Sequence, residues 1–251
     1  MKKIAFVFPG YGCSHAGIGK GVCDYSEICN EIYKKGSDAL GADAALLSTK
    51  GKAAEVTDPE VSFQLQFLHE LALYEAAKDI LPAPEAFIGY SAGEITAMTA
   101  VEAAEQTVII GDEDGLKTVL SELAKHKVQP AKLRDSLPLH SMMVFPYVAK
   151  LQDALRPLAH NKLNIDLYST LYGKKVDNMI LPSDYFAKQQ VNAIRFYEAV
   201  KLAVDDGYDC FVILGKDKDL TSAVKNVAGD GNVFVAETPA DLEKIAEKIK
   251  E

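Results

Sequence analysis

Phe87-Ile88-Gly89-Tyr90-Ser91-Ala92-Gly93-Glu94 joins a short apolar run, a Gly-x-Ser-x-Gly turn and the start of a helix-forming stretch. That order predicts a strand over Ala86 to Gly89 and a helix from Ala92 to about Ala104. A serine at such a strand-to-helix turn sits in a strained backbone conformation, and the neighbouring chain passes close to it. Glycines at 89 and 93 remove the side chains that would clash there. The Ser91 hydroxyl then projects beyond the sheet edge, where the positive end of the following helix favours developing negative charge. The pattern therefore points to Ser91 as a nucleophile.

Strand and helix signals alternate on both sides of this segment. Ile4 to Phe8 reads as a buried strand that stops at Pro9-Gly10. Asp24 to Ala39 and Val61 to Lys78 read as helices. The second carries Phe63, Phe67, Leu68, Leu71 and Tyr74 at helical spacing, which predicts that it is mostly buried. Pro82 and Pro84 break the chain after it. Beyond the Ser91 turn, strands are expected over Gln106 to Gly111, Lys132 to Leu137, Ile165 to Ser169, Cys210 to Leu214 and Val233 to Val235. Helices are expected over Glu113 to Lys127, Met142 to Leu158, Tyr185 to Val191, Phe196 to Asp206, Leu220 to Val227 and Ala240 to Lys250. Such alternation implies an α/β fold with a largely parallel sheet flanked by helices.

The chain has 251 residues, enough for one or two domains, with 48% hydrophobic and 25% charged residues. A net charge of −9 argues against nucleic acid or an anionic membrane as the main partner. No apolar run reaches the length of a membrane span. Met1-Lys2-Lys3 and the apolar residues after it faintly mimic a signal peptide, but Pro9-Gly10 cuts the run short and a core strand accounts for it. Cytoplasmic residence is the expectation. Cys13, Cys23, Cys29 and Cys210 lack Cys-x-x-Cys spacing and a histidine cluster, so free thiols are expected and structural zinc is not.

A serine nucleophile needs a base. The candidates are His15, His69, His126, His140 and His160. His15 reads as a loop residue, His69 as a packed or surface helix residue, and His126 and His160 as solvated helix-end residues. His140 follows a strand and Pro138 and precedes a helix, at the carboxyl end of a strand where open α/β sheets bind ligands. Position alone favours it without excluding the others.

Four ordered blocks resemble one family, the malonyl-CoA:acyl-carrier-protein transacylases and polyketide-synthase acyltransferase domains. Phe8-Pro9-Gly10-Tyr11-Gly12 resembles the family's Phe-Pro-Gly-Gln-Gly block, and Gly89-Tyr90-Ser91-Ala92-Gly93-Glu94 its Gly-His-Ser-x-Gly-Glu elbow. Leu137-Pro138-Leu139-His140-Ser141-Met142-Met143 resembles its catalytic-histidine block. The fourth block runs from Tyr185 to about Val227, where Lys188-Gln189-Gln190-Val191-Asn192 resembles the family's Gln-x-x-Asn turn and Phe211-Val212-Ile213-Leu214-Gly215 its late strand-Gly stretch. The resemblance implies a transacylase, α/β-hydrolase-like core. It also implies Ser91 as nucleophile, His140 as base, the Gln189 carbonyl orienting that histidine, and N–H groups of Tyr11 and Ala92 as the oxyanion hole. The implied reaction is acyl transfer from CoA or another thioester to the phosphopantetheine thiol of an acyl carrier protein. CoA is then a substrate, and no cofactor or metal is implied.

The sequence also departs from that family. Its elbow helix runs directly into Gln106-Thr107-Val108-Ile109-Ile110-Gly111, which resembles a strand near the middle of the family's small ferredoxin-like subdomain. The expected division is a large subdomain over 1–104 and 138–251 and a truncated small-subdomain remnant over 105–137. The family's carboxylate-binding arginine falls in the missing stretch. Arg156 and Arg195 read as helix-surface residues, and Arg134 lies on the remnant. Tyr11 and Tyr90 replace a glutamine and a histidine, and Ser62-Phe63 stands where the family often has Thr-Gln. Phe63 and Tyr90 are thus the candidate acyl-pocket residues; the aromatic changes point either to a neutral acyl group or hydrolysis in preference to malonyl, or to repacking around the deletion, and the sequence does not decide between them.

Two other readings stay open: an acyl-thioester hydrolase with a more water-exposed site, and a non-catalytic docking subunit. Lys117, Lys125, Lys127 and Lys132, with Lys216, Lys218 and Lys225, are candidate contacts for an acidic carrier, against the plainer reading of solvated surface charge.

Overall fold

The structure, a computed structural model, describes residues 2–100, 139–156, 165–176 and 182–250. The expected remnant over 105–137 lies outside the described residues, as do Arg134, His126 and His160 and the lysines between 117 and 132.

The described chain forms two units. The first holds residues 2–100, 165–176 and 195–250 and contains one six-stranded sheet. Its strands are β1 (Ile4–Phe8), β2 (Ala86–Gly89), β3 (Asp166–Ser169), β4 (Lys174–Val176), β5 (Cys210–Leu214) and β6 (Val233–Ala236), in spatial order β4-β3-β2-β1-β5-β6. All neighbours run parallel except β3 and β4, which form an antiparallel hairpin. The register sets Phe6 beside Phe87 and Val212. From β1 the sheet grows toward β2 in one direction and β5 in the other, so the carboxyl end of β1 is a switch point where α/β sheets open a crevice.

Ile4 to Phe8 and Cys210 to Leu214 are buried at every position, which requires layers on both faces of the sheet. On one face Phe6, Phe8 and Phe87 meet Tyr74 of α4 (Pro59–Ile80), with ring centroids 5.5 to 6.3 Å apart. Edge-to-face pairs of this kind add about 0.5–1.5 kcal/mol each to the area they bury. The helices α1 (Glu27–Leu40), α2 (Ala44–Lys50) and the single turn α3 (Ala53–Val56) complete the first half of this layer. Ser26 caps α1 by accepting the Cys29 N–H at 3.3 Å, and Asp43 caps α2 by accepting the Leu46 N–H at 2.8 Å. Helix α4 is buried on more sides than its apolar spacing indicates. Leu65, Leu68, Ala72, Leu73 and Ala76 are core residues, and the polar Ser62, Gln66, His69 and Glu70 are buried as well. The elbow leads into α5 (Gly93–Ala100).

The second unit comprises, among described residues, 139–156 and 182–194. A 3₁₀ turn over Met142–Val144 runs into α6 (Phe145–Leu155), which packs on α7 (Pro182–Gln190). Gln152 donates to the Asp184 carboxylate at 2.7 Å across that packing. The rest of the first unit is α8 (Phe196–Asp205), α9 (Lys218–Ala228) and α10 (Pro239–Lys250). Among the described residues no helix is long and apolar enough to cross a membrane. All four cysteines are free.

Candidate active site

In the first unit, Ser91 occupies the turn between β2 and α5 with φ at +52°. Left-handed backbone at a side-chain-bearing residue costs on the order of 1–3 kcal/mol and persists only where surroundings enforce it. The enforcement is visible. The Tyr90 N–H donates to the Phe8 carbonyl at 2.8 Å, and the Gly93 and Glu94 N–H groups close on the Tyr90 and Ser91 carbonyls at 2.8 and 3.0 Å. A Cβ on Gly93 would lie 2.3 Å from both the Phe8 and Pro9 carbonyl oxygens, and one on Gly10 would lie 2.4 Å from the Tyr90 oxygen. The strand end of β1 and the elbow thus meet backbone to backbone, and only glycine fits at 10 and 93. Ser91 retains 8% exposure.

The same rim holds Tyr11, one residue beyond Gly10. The Ala92 N–H sits at the N-terminal edge of α5 and takes part in neither elbow turn. The Tyr90 ring lies against Gly10, since its Cδ1 would be 2.6 Å from a Cβ there. Phe63 is partly buried on the second turn of α4.

Buried carboxyls brace the helix behind the serine. Glu94 accepts the Thr170 N–H at 2.9 Å and the Thr170 hydroxyl, which fixes α5 to the turn after β3. Glu70 is hydrogen-bonded to Gln66 and Thr96, and burial holds its carboxyl well above the usual carboxylate range. His69 beside it is fully buried, and burial together with the nearby His15 lowers its pKa to about 3, so it is a neutral core residue.

In the second unit, His140 has φ at +61°, the only left-handed non-glycine residue other than Ser91 among the described residues. Its Nδ1 lies 2.9 Å from the Gln189 carbonyl oxygen. That oxygen can only accept, so Nδ1 carries the hydrogen and a neutral His140 leaves Nε2 as its basic nitrogen. Burial lowers the His140 pKa below its ordinary value, and the carbonyl offsets part of that shift. The Gln189 side chain is buried at the C-terminal end of α7.

No protein-family profile matches the chain. A curated malonyl CoA-acyl carrier protein transacylase from Bacillus subtilis is similar along the whole length, 21% identical over 312 positions that cover 100% of this chain and 98% of the relative. In sequence the chain is similar to the malonyl-CoA:acyl-carrier-protein transacylases, and in fold also to polyketide-synthase acyltransferase domains. The fold agrees. The transacylase structure from Coxiella burnetii superposes with a TM-score of 0.85 at 16% identity, covering 100% of this chain and 98% of that one. The acyltransferase domain from the second module of the salinomycin polyketide synthase gives 0.83 at 18% identity, over 98% of this chain and 72% of that one. The chain spans only 16% of another relative, the 5-methyl-1-naphthoate synthase of Streptomyces sahachiroi, at 22% identity over 289 residues.

The first unit carries Ser91, Tyr11, Ala92, Tyr90 and Phe63, and in the second unit His140 meets the Gln189 carbonyl. Arg156 pairs with Asp153 at 3.3 Å and Arg195 approaches Glu198 at 3.9 Å, both on exposed helix surface. The tie of Glu94 to Thr170 has no sequence signal, because 76 positions separate them. The Glu70–Thr96 bond was equally hidden, since an internal glutamate reads as a surface residue in a helical pattern.

Proposed function

We propose that this chain is a serine acyltransferase that moves an acyl group from a CoA thioester, through an ester on Ser91, to the phosphopantetheine thiol of an acyl carrier protein. The left-handed backbone of Ser91 in its strand-to-helix elbow is the observation that carries this reading. The relative's own name, a malonyl CoA-acyl carrier protein transacylase, supports the donor and acceptor classes.

In this reaction His140 takes the proton of the Ser91 hydroxyl as the oxygen attacks the thioester carbonyl. The N–H groups of Tyr11 and Ala92 receive the oxyanion, and each such donor is typically worth about 3 kcal/mol of barrier. The C–S bond breaks and the CoA sulfur leaves with the proton from His140. The carrier thiol then gives its proton to His140 and attacks the ester carbonyl. Ser91 regains its hydrogen as the acyl–oxygen bond breaks. CoA and carrier are both substrates in this scheme, and no metal or organic cofactor takes part.

The acyl group is neutral rather than malonyl. Tyr11 and Tyr90 stand where the resembled motifs have a glutamine and a histidine, and Phe63 where they often have a glutamine, so aromatic side chains replace polar ones, and a buried carboxylate needs a paired positive charge. The alignment with the Bacillus subtilis transacylase extends over 312 positions against 251 residues here, so this chain is the shorter of the two over the matched length. Competing malonyl-CoA and acetyl-CoA for Ser91, with the adduct weighed by mass spectrometry, tests this. A clear malonyl preference refutes it.

The transfer step is tested with radiolabelled acetyl-CoA and a holo acyl carrier protein. Label on the carrier supports transfer. Label released as free acetate with the carrier untouched makes the enzyme a thioester hydrolase, and no label on any species leaves the docking-subunit reading.

A further inference from the structure

We propose that His15 is a positioning residue that sets the Tyr11 N–H by clamping the loop after β1 to the loop after β6, an inference that rests on the acyltransferase reading above. Tyr11 stands between Gly10 and Gly12, and Gly12 has φ at +101° with open space where a Cβ would lie. A peptide flanked by two glycines has little conformational preference of its own, so its orientation must be fixed from further along the loop.

Three consecutive side chains supply that fixing. Cys13 Sγ donates to the Asp217 carboxylate at 3.3 Å, beyond the end of β5. Ser14 donates to the Ser62 carbonyl at 2.7 Å on α4. His15 makes two contacts: Nδ1 lies 3.2 Å from the Cys13 carbonyl oxygen, and Nε2 lies 2.9 Å from the Glu237 carboxylate. The Cys13 carbonyl can only accept, so that bond forms when Nδ1 carries the hydrogen, while the Nε2–carboxylate approach is an ion-pair contact without hydrogen-bond geometry. The first bond orients the peptide that follows Cys13, two residues from Tyr11. The second contact anchors the ring outside its own loop, to a carboxylate that Lys216 also approaches at 3.4 Å. The loops after β1, β5 and β6 are thereby joined around the rim that holds Ser91.

His15 differs from the other two ties in being removable without opening the core. Its side chain is 43% exposed, whereas Ser14 is buried. Oxyanion donors act only when aimed at the developing charge, and an ångström of misplacement can cost about 100-fold in rate. A loosened loop should therefore slow Ser91 acylation and leave thioester binding alone.

The test compares wild type with His15→Ala, Glu237→Ala and the double variant by two readouts. Hydrogen exchange reports the loop directly, and the burst of Ser91 acylation by acetyl-CoA reports the chemistry. The expected result is faster exchange confined to residues 9–17, acylation slowed about 10- to 100-fold with KM for the thioester within about twofold, and a double variant no slower than either single. His15→Asn, which keeps a donor near the Cys13 carbonyl, should recover part of the rate. Unchanged exchange in His15→Ala, or faster exchange with a wild-type acylation rate, overturns the proposal. If wild type itself forms no Ser91 ester, the acyltransferase reading falls, while the exchange data still decide whether His15 holds the loop.

Discussion

The Nδ1 of His140 faces the Gln189 carbonyl oxygen at 2.9 Å, a bond from a ring to a main-chain acceptor with no carboxylate involved. A carbonyl fixes the tautomer as a carboxylate does, but it adds no negative charge to hold the imidazolium. Burial therefore dominates the electrostatics of this histidine and favours its neutral form.

That balance fixes the pH profile. In the proposed reaction the base is the neutral ring, so acylation should be flat through neutral pH and decline as pH falls through the His140 pKa. Because the shift is downward, the midpoint should lie below the ordinary histidine value of 6.5. Burst rates with acetyl-CoA across the acid range check this, and a midpoint above 6.5 contradicts it.

Ser91 should show a trade of stability for function. Its φ of +52° suits glycine, so Ser91→Gly is expected to be inactive yet more stable, by roughly 1 kcal/mol in urea unfolding. A loss of stability of that size would mean that the hydroxyl, rather than the backbone, is what the elbow is built around.

Glu70 gives the opposite kind of signature. Its folded-state pKa is raised, so the carboxyl contributes fully below its unfolded value near 4.5, and stability is lost as pH rises above that until the folded group ionises. Each pH unit in that window costs about 1.4 kcal/mol for one proton. Glu70→Gln keeps a polar side chain beside Gln66 and Thr96 and should flatten the curve, leaving the variant more stable than wild type at pH 8. Parallel curves for the two proteins would contradict the assignment.

Much of this architecture was legible because strands and elbow are written in local chemistry. Ile4–Phe8, Ala86–Gly89 and Cys210–Leu214 are apolar runs ended by glycine or proline, and all three are parallel core strands at the expected bounds. Gly93 was legible for the same reason, since the clash at 2.3 Å is a property of the turn itself. Elements that depend on partners were not. Strand β4 is three residues, Lys174–Val176, and exists by pairing with β3 after the Gly173 turn. Helix α2 carried its Asp43 cap in plain sight, but its two buried residues, Ala44 and Ser48, give almost no apolar pattern. The helix expected from Met142 begins instead as a 3₁₀ turn capped by Ser141, with Pro146 near the start of α6. In the site, motif residues were readable, whereas the supports at His15, Glu70 and Thr170 depend on contacts far apart in the chain.

The mass of the protein after brief exposure to acetyl-CoA reads directly whether Ser91 becomes an ester with His140 as its base. One added acetyl group mapping to the Ser91 peptide, absent in Ser91→Ala and strongly slowed in His140→Ala, is the predicted result. An unmodified protein, or an acetyl group that persists at full rate in either variant, would contradict it.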